Sequence, residues 1–310
     1  MRMFIVAAAL LVATGAAAQE GGGRMGGAAP AGPPPTCPAS GYASQAYYAL
    51  FGQNGGDGQT AFEIASPCIG QEVRDVAMSI GMGRNKLLGV KNVITTMFTV
   101  EGTMADGAGM AKLTKADFHI SYVVPAMRLF LEGTKANGQP LKEIRVFADQ
   151  YAWNETQEGR GATAAMNTLN DRAPLLKLTP YGALWSLIDA EAHVKVSKVN
   201  GKTVLTGTSP YDGIEVTMTV EPQNLGMGGY GKDEPMSIPV EVTAKVNGHV
   251  YGATFADYSD KREPNAWMMF PGQMKWTLDG KPFADFKVTY FRSNPYVVFP
   301  IPDVVRPKTN

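Results

Sequence analysis

Histidine is scarce in this chain, with three in 310 residues, and cysteine is scarcer at two. Three isolated histidines, with no H-x-H-x-D-H run, argue against a multi-histidine zinc centre. The absence of a C-x-x-C pair argues against a redox dithiol. Charge is also thin. Only 18% of residues are Asp, Glu, Lys or Arg, and 28 basic residues balance 28 acidic ones. A chain with no net charge lacks the basic field that nucleic-acid binding requires, and equally the field that holds a protein electrostatically to an anionic membrane. There is no Gly-x-Ser-x-Gly and no recognisable Ser–His–Asp order, which disfavours serine hydrolase chemistry. The glycine-rich stretch 225–231 lacks the Lys-Ser/Thr of a phosphate loop and its strand-to-helix setting. It is read as a long loop, with a flap over a cavity mouth as the functional alternative. Asp257, Asp260 and Glu263 lack EF-hand spacing.

What is present begins with an address. Arg2 precedes an apolar run over 3–12, and Ala16-Ala17-Ala18 stands before Gln19. That order of basic, apolar and small residues is a secretory signal cut after Ala18. The run is too short to span a bilayer, and no other segment is long and apolar enough, so the mature chain is expected to be periplasmic or secreted, without a transmembrane segment. Residues 19–36 form a Gly/Ala/Pro tether with too little apolar surface to fold. Residues 37–310 then form a single domain, within the size one core can serve.

Helical and two-residue periods divide that domain. Segment 42–53 reads as a short tyrosine-rich helix. A clearer helix over 67–81 starts at Ser66-Pro67, carries Ile69, Val73, Val76 and Ile80 on one face, and ends at Gly81 and Gly83. Thr179-Pro180 opens another over 180–190, with Leu184, Leu187 and Ile188 as its stripe. Elsewhere apolar residues alternate with polar ones, as in Ile94-Thr96-Phe98-Val100 and Ile214-Val216-Met218-Val220. Asn200-Gly201, Asn247-Gly248 and Asp279-Gly280 sit between such runs and predict tight hairpins. The predicted strands are 92–103, 115–123, 126–133, 142–154, 192–199, 202–209, 213–220, 238–246, 249–257, 268–278 and 282–291. The fold class is α+β: a large curled antiparallel sheet of about eleven strands, a half-barrel, with two or three helices covering its concave face. An apolar cavity between helices and sheet would suit a hydrophobic ligand.

Several short motifs carry a resemblance. Ala152-Trp153-Asn154, Leu178-Thr179-Pro180-Tyr181-Gly182, the run 240–246, 253–258, Phe270-Pro271, 283–288 and 299–303 together resemble the β-rich domain that precedes the catalytic domain in some exported metallo-β-lactamase-fold hydrolases of Gram-negative bacteria. That domain looks like the lipoprotein-carrier fold, a half-barrel lined with apolar side chains. The likeness covers about 70–305. Two departures matter. Tyr181 stands where the pattern has histidine, and the zinc hydrolase domain is missing. The resemblance therefore implies a freestanding binding domain.

Two functions remain. The first is a carrier for a lipid or other hydrophobic small molecule, with no cofactor, no metal and no nucleic acid. Its candidate ligand-binding residues are Phe147, Tyr151, Trp153, Leu184 and Trp276, with abundant methionine as tolerant lining. The second is a cofactor-independent lyase or isomerase acting on an aromatic, for example lignin-derived, molecule through Arg145, His193 and Tyr181. Arg145 shares a strand face with Phe147 and is suited to a bidentate hold on a carboxylate or phenolate; an ion pair with Glu143 or Asp149 is its structural alternative. His119 reads as a hydrogen-bonded sheet histidine, His193 as either a solvated residue or a cavity base, His249 as exposed, and Asp257-Tyr258 as a strand-end turn.

Export and a pair of cysteines predict a Cys37–Cys68 disulfide, contributing about 3–4 kcal/mol by loop closure. Alkylation of the unreduced exported protein followed by intact-mass measurement should leave both thiols unmodified; two alkylated cysteines would refute the bridge.

Overall fold

The three X-Gly dipeptides fix much of the chain's path. In the computed structural model, which describes residues 69–81, 93–190, 193–225, 235–261 and 268–306, Asn200, Asn247 and Asp279 each have φ of 51°, and the glycines after them 79°, 82° and 75°. Positive φ at both central residues is what a type I′ turn requires, and its twist matches that of paired strands. Among the described residues fifteen strands follow from these turns and the period-two runs. They are β1 (Thr95–Ala105), β2 (Met110–Ser121), β3 (Ala126–Thr134), β4 (Pro140–Ala148), β5 (Tyr151–Glu155), β6 (Thr163–Ala164), β7 (Lys195–Val199), β8 (Lys202–Thr208), β9 (Glu215–Gln223), β10 (Met236–Val246), β11 (His249–Ala256), β12 (Ser259–Asp260), β13 (Met269–Phe270), β14 (Gln273–Leu278) and β15 (Lys281–Ser293).

Thirteen of them form one open sheet in the order β6-β5-β4-β3-β2-β1-β15-β14-β11-β10-β9-β8-β7, while β12 and β13 make a separate ribbon. Two meanders thus meet at a single long-range seam, the antiparallel pair β1–β15. The seam is irregular by design of sequence. The β1–β15 register shifts between Thr99 and Val100, and the adjoining β1–β2 register between Val100 and Gly102, whose φ is 143°. Such bulges bend and twist a strand, and here they curl the sheet.

Among the described residues three helices lie against that curl: α1 (Gln71–Ser79), α2 (Leu169–Lys177) and α3 (Pro180–Ala190). Every residue of α3 is buried. Thr179 caps it as expected, its Oγ1 accepting from Gly182 N–H at 3.0 Å, with Pro180 in the first turn. It packs on β8, β9 and β10 and on α1. Helix α2 touches β3 and β4 on one arm of the sheet and β10 on the other. The main core, with Phe98, Phe118, Phe270, Phe286 and Trp276, fills the concave side.

The half-barrel sheet is therefore as the sequence implies, with thirteen strands in place of about eleven. Four details differ. The run 142–154 is a hairpin, β4 and β5, turning at Asp149 with φ 53°. The run 268–278 is broken into β13 and β14. Helix α1 is described from Gln71 with Gly70 as N-cap and no side-chain cap; Ser66 and Pro67 lie outside the described residues. Helix α2 is unanticipated because Pro174 sits inside it, where proline removes a backbone donor. The 42–53 helix, the signal and tether, Cys37, Cys68 and 226–231 also lie outside the described residues.

A Cβ at Gly102 would meet the backbone carbonyl of Asp285, whereas one at Gly248 would meet nothing within 4 Å. Gly102→Ala should lower stability by about 2–3 kcal/mol through overpacking and strain, and Gly248→Ala by about 1 kcal/mol through φ alone. Urea unfolding checks both; equal losses would remove the special role of the bulge.

Candidate functional site

The β4–β5 hairpin decides which side chains can meet a ligand. Phe147 pairs with Ala152, and Val146 pairs with Trp153. Phe147 and Ala152 therefore face the concave core, while Val146, Ala148, Tyr151 and Trp153 face the other side. A continuous strand would have put 147, 151 and 153 on one face. The two-residue turn reverses the chain and changes the parity, so Tyr151 and Trp153 leave the cavity side.

On the convex side Trp153 belongs to a second core with Ala126, Val146 and Ala148, covered by Phe299, Ile301 and Val305 of the C-terminal segment. Its Nε1–H donates to Glu155 Oε1 at 2.8 Å. Glu155 is buried and forms a two-point ion pair with buried Arg128, at 3.0 and 3.2 Å. Arg128 also donates to Val298 O at 3.1 Å and lies over the Phe299 ring at 5.3 Å. These contacts fasten the C-terminal segment to the sheet. His119 lies on this side too, 3.8 Å from Glu158, and burial lowers its pKa against the opposing Glu158 charge.

The concave side holds a cavity of about 580 Å³, within the ~300–1,000 Å³ range of small-molecule sites. Met127 and Leu129 of β3 and Phe147 of β4 form one wall, Tyr251, Leu278 and Phe283 the opposite wall, and Leu175 of α2 the roof. Strands on opposite arms of the sheet meet there only because the sheet curls. A smaller cavity of about 350 Å³ lies beyond Phe147, which lines both, and reaches Ile214 and Val246.

Polar groups gather at the larger cavity. Arg145 is half-buried and donates to Glu143 Oε2 through Nε at 3.0 Å and Nη2 at 2.7 Å. Glu143 also pairs with Lys135 at 2.8 Å, and despite its partial burial those two cations hold its carboxyl below the usual range. Arg172 of α2 is only 8% exposed. Its Nη1 donates to Val146 O and Trp153 O at 3.0 and 2.6 Å, and its Nη2 to Asn154 Oδ1 at 2.6 Å, so it clamps the hairpin to the helix. Burial and then the Arg145 charge lower its pKa to about 10, leaving it protonated at neutral pH. Asp106 spends its oxygens on Ala108 N–H and Ala136 N–H, at 3.0 Å each.

The remaining candidates are dispersed. Leu184 is fully buried in α3 and Trp276 in the aromatic cluster with Phe118 and Phe286, and neither lines either of these two cavities. Tyr181 is fully buried, its hydroxyl directed at Ile80 O and Met269 O, at 2.7 and 3.1 Å. Burial raises it well above 10, so it remains a neutral phenol. His193 is exposed. Arg145, His193 and Tyr181 are thus not brought together around one cavity. His249 is exposed and pairs with Asp279 at 2.8 Å, and Asp257 has φ 56° in its turn. Sequence reasoning missed Arg172, Leu129, Tyr251 and Phe283. Period two marks Leu129 and Tyr251 as inward, but no local signal places them opposite each other.

No family model and no curated protein matches the chain. Among solved structures, it is similar to a LolA superfamily protein from Nitrosomonas europaea, at 9% identity over 75% of this chain and 94% of that one, with a TM-score of 0.39. LprF from Mycobacterium bovis aligns at 10% identity over 76% and 96%, with a TM-score of 0.29. The lipoprotein LppX from Mycobacterium tuberculosis aligns at 10% over 74% and 96%, with a TM-score of 0.27. At these scores the likeness assigns no function.

Trp153→Ala should cost about 3–5 kcal/mol of stability, as for an aromatic removed from a packed core, and should leave an uncharged hydrophobe's affinity nearly unchanged at temperatures where the fold persists. Thermal unfolding and fluorescence titration separate the two effects; lost affinity in a stable variant would return Trp153 to the cavity.

Proposed function

We propose that this protein is an exported carrier that holds a hydrophobic small molecule or lipid in the 580 Å³ cavity between the two arms of its sheet. The observation that carries this reading is the wall itself: apolar side chains from β3, β4, β11, β14 and β15 converge under α2 on space that none of them fills. Burying a ligand's apolar surface there is favourable at about 25 cal/mol per Å². Thioether and aromatic lining tolerates ligands of irregular shape. The signal-like N-terminus supports a periplasmic or secreted setting, and none of the described helices is long and apolar enough to cross a membrane. No cofactor is called for.

Native mass spectrometry of the protein purified from its host should show a co-purified apolar molecule. The uncharged probe N-phenyl-naphthylamine should brighten on binding. Leu278 is half-buried at the cavity wall, so Leu278→Trp should fill the space from its open side and weaken probe binding by about tenfold or more, with little change in melting temperature. An unaltered affinity would move the ligand elsewhere; a wild type that binds no apolar probe would overturn the carrier reading.

A further inference from the structure

The larger cavity is apolar in its walls yet has two guanidiniums at its edge, and they differ from ordinary surface arginines. Arg172 is nearly buried and, among the described residues, no carboxylate pairs with it; its charge rests on two carbonyls and one amide oxygen. Buried charges are ordinarily paired, because removing an ion from water is costly. Arg145, the second cation lining the cavity, shares its one carboxylate partner among the described residues, Glu143, with Lys135. That trio carries two positive charges for one negative. Neighbouring acids offset the excess without bonding Arg172: Glu143 and Asp171 attract it through space only. Asp106 is turned to backbone amides, and Asp171, although it lines the cavity, is exposed to solvent. Donors also remain: Arg145 Nη1 and Arg172 Nε make no hydrogen bond among the described residues.

We propose that the cavity selects an amphiphile with an anionic end, a carboxylate or a phosphate, whose chain lies between Met127, Leu129 and Leu278 and whose head group is held by Arg145 and Arg172. This rests on the carrier reading and adds to it the charge of the cargo. An anion there gives Arg172 a directly bonded counter-ion, where Glu143 and Asp171 act on it only through space, and offsets its repulsion with Arg145. Guanidinium forks suit both oxyanions. The chain supplies most of the affinity and the head group the discrimination, since an uncharged alcohol leaves the arginines as they are in the empty cavity.

The test uses the full chain after delipidation, with bound N-phenyl-naphthylamine displaced by dodecanoate, dodecyl phosphate or dodecanol. The two anions should compete at least about tenfold better than the alcohol, as expected for charge-assisted hydrogen bonds. A preference for dodecanoate over the phosphate assigns a carboxylate head, and the reverse a phosphate head; either outcome supports the inference. Arg145→Gln, at a half-buried side chain whose loss leaves the hairpin clamp intact, should erase most of that advantage. Equal competition by acids and alcohol in the wild type would overturn this inference and leave the carrier reading standing. If no amphiphile displaces the probe, and the probe itself does not bind, the carrier reading falls first.

Discussion

Everything in this molecule follows from the requirement that one face of a thirteen-stranded sheet be kept from water. Twisted antiparallel sheets of that size curl or split. This one curls, bent at the glycine bulge beside the β1–β15 seam, and wraps a helix with no exposed residue, α3. Helix α3 can be this apolar only because the sheet surrounds it, and the sheet can stay open only because α3 occupies its concavity. Thr179, Pro180 and the hydrogen bonds of Tyr181 and Trp185 to the Ile80 and Val93 carbonyls set where that helix sits.

The same curl explains the cavity. Helix α3 fills the concavity along β8, β9 and β10, whereas the shorter α2 spans from β3 and β4 to β10. Under α2 the two arms face each other across about 580 Å³. Protein interiors are otherwise close-packed, and space of this size sets the region under α2 apart from the rest of the core. Arg172 ties roof to wall by bonding the carbonyls of both hairpin strands, so one residue both holds the cavity's shape and contributes to its charge.

The convex face has a different task. Trp153, Glu155 and Arg128 build a small buried polar-aromatic cluster beneath the C-terminal segment. Removing either member of that ion pair would strand a buried charge, which costs more than the pair itself contributes. Its importance is to stability and to the path of the last residues. It also accounts for the conspicuous tryptophan and tyrosine of β5, which the cavity does not use.

Much of this architecture was legible in the sequence because it is written in local chemistry. Asn-Gly and Asp-Gly dictate their turns through backbone sterics, alternation dictates a half-buried strand, and Thr-Pro followed by an apolar stripe dictates α3. Parity within each strand was legible too, so Phe147 and Arg145 were rightly placed on one face. The step across Asp149-Gln150 was not, since a turn without glycine leaves no mark and one missed reversal exchanges the faces of every residue after it. Helix α2 was hidden by its own proline. Which residues stand opposite one another, as Leu129 and Tyr251 do, and which arginine loses its water, as Arg172 does, depend on how far the sheet curls. Curl is a sum of small twists and bulges over the whole sheet, and no window of sequence contains it; only the tertiary structure decides it.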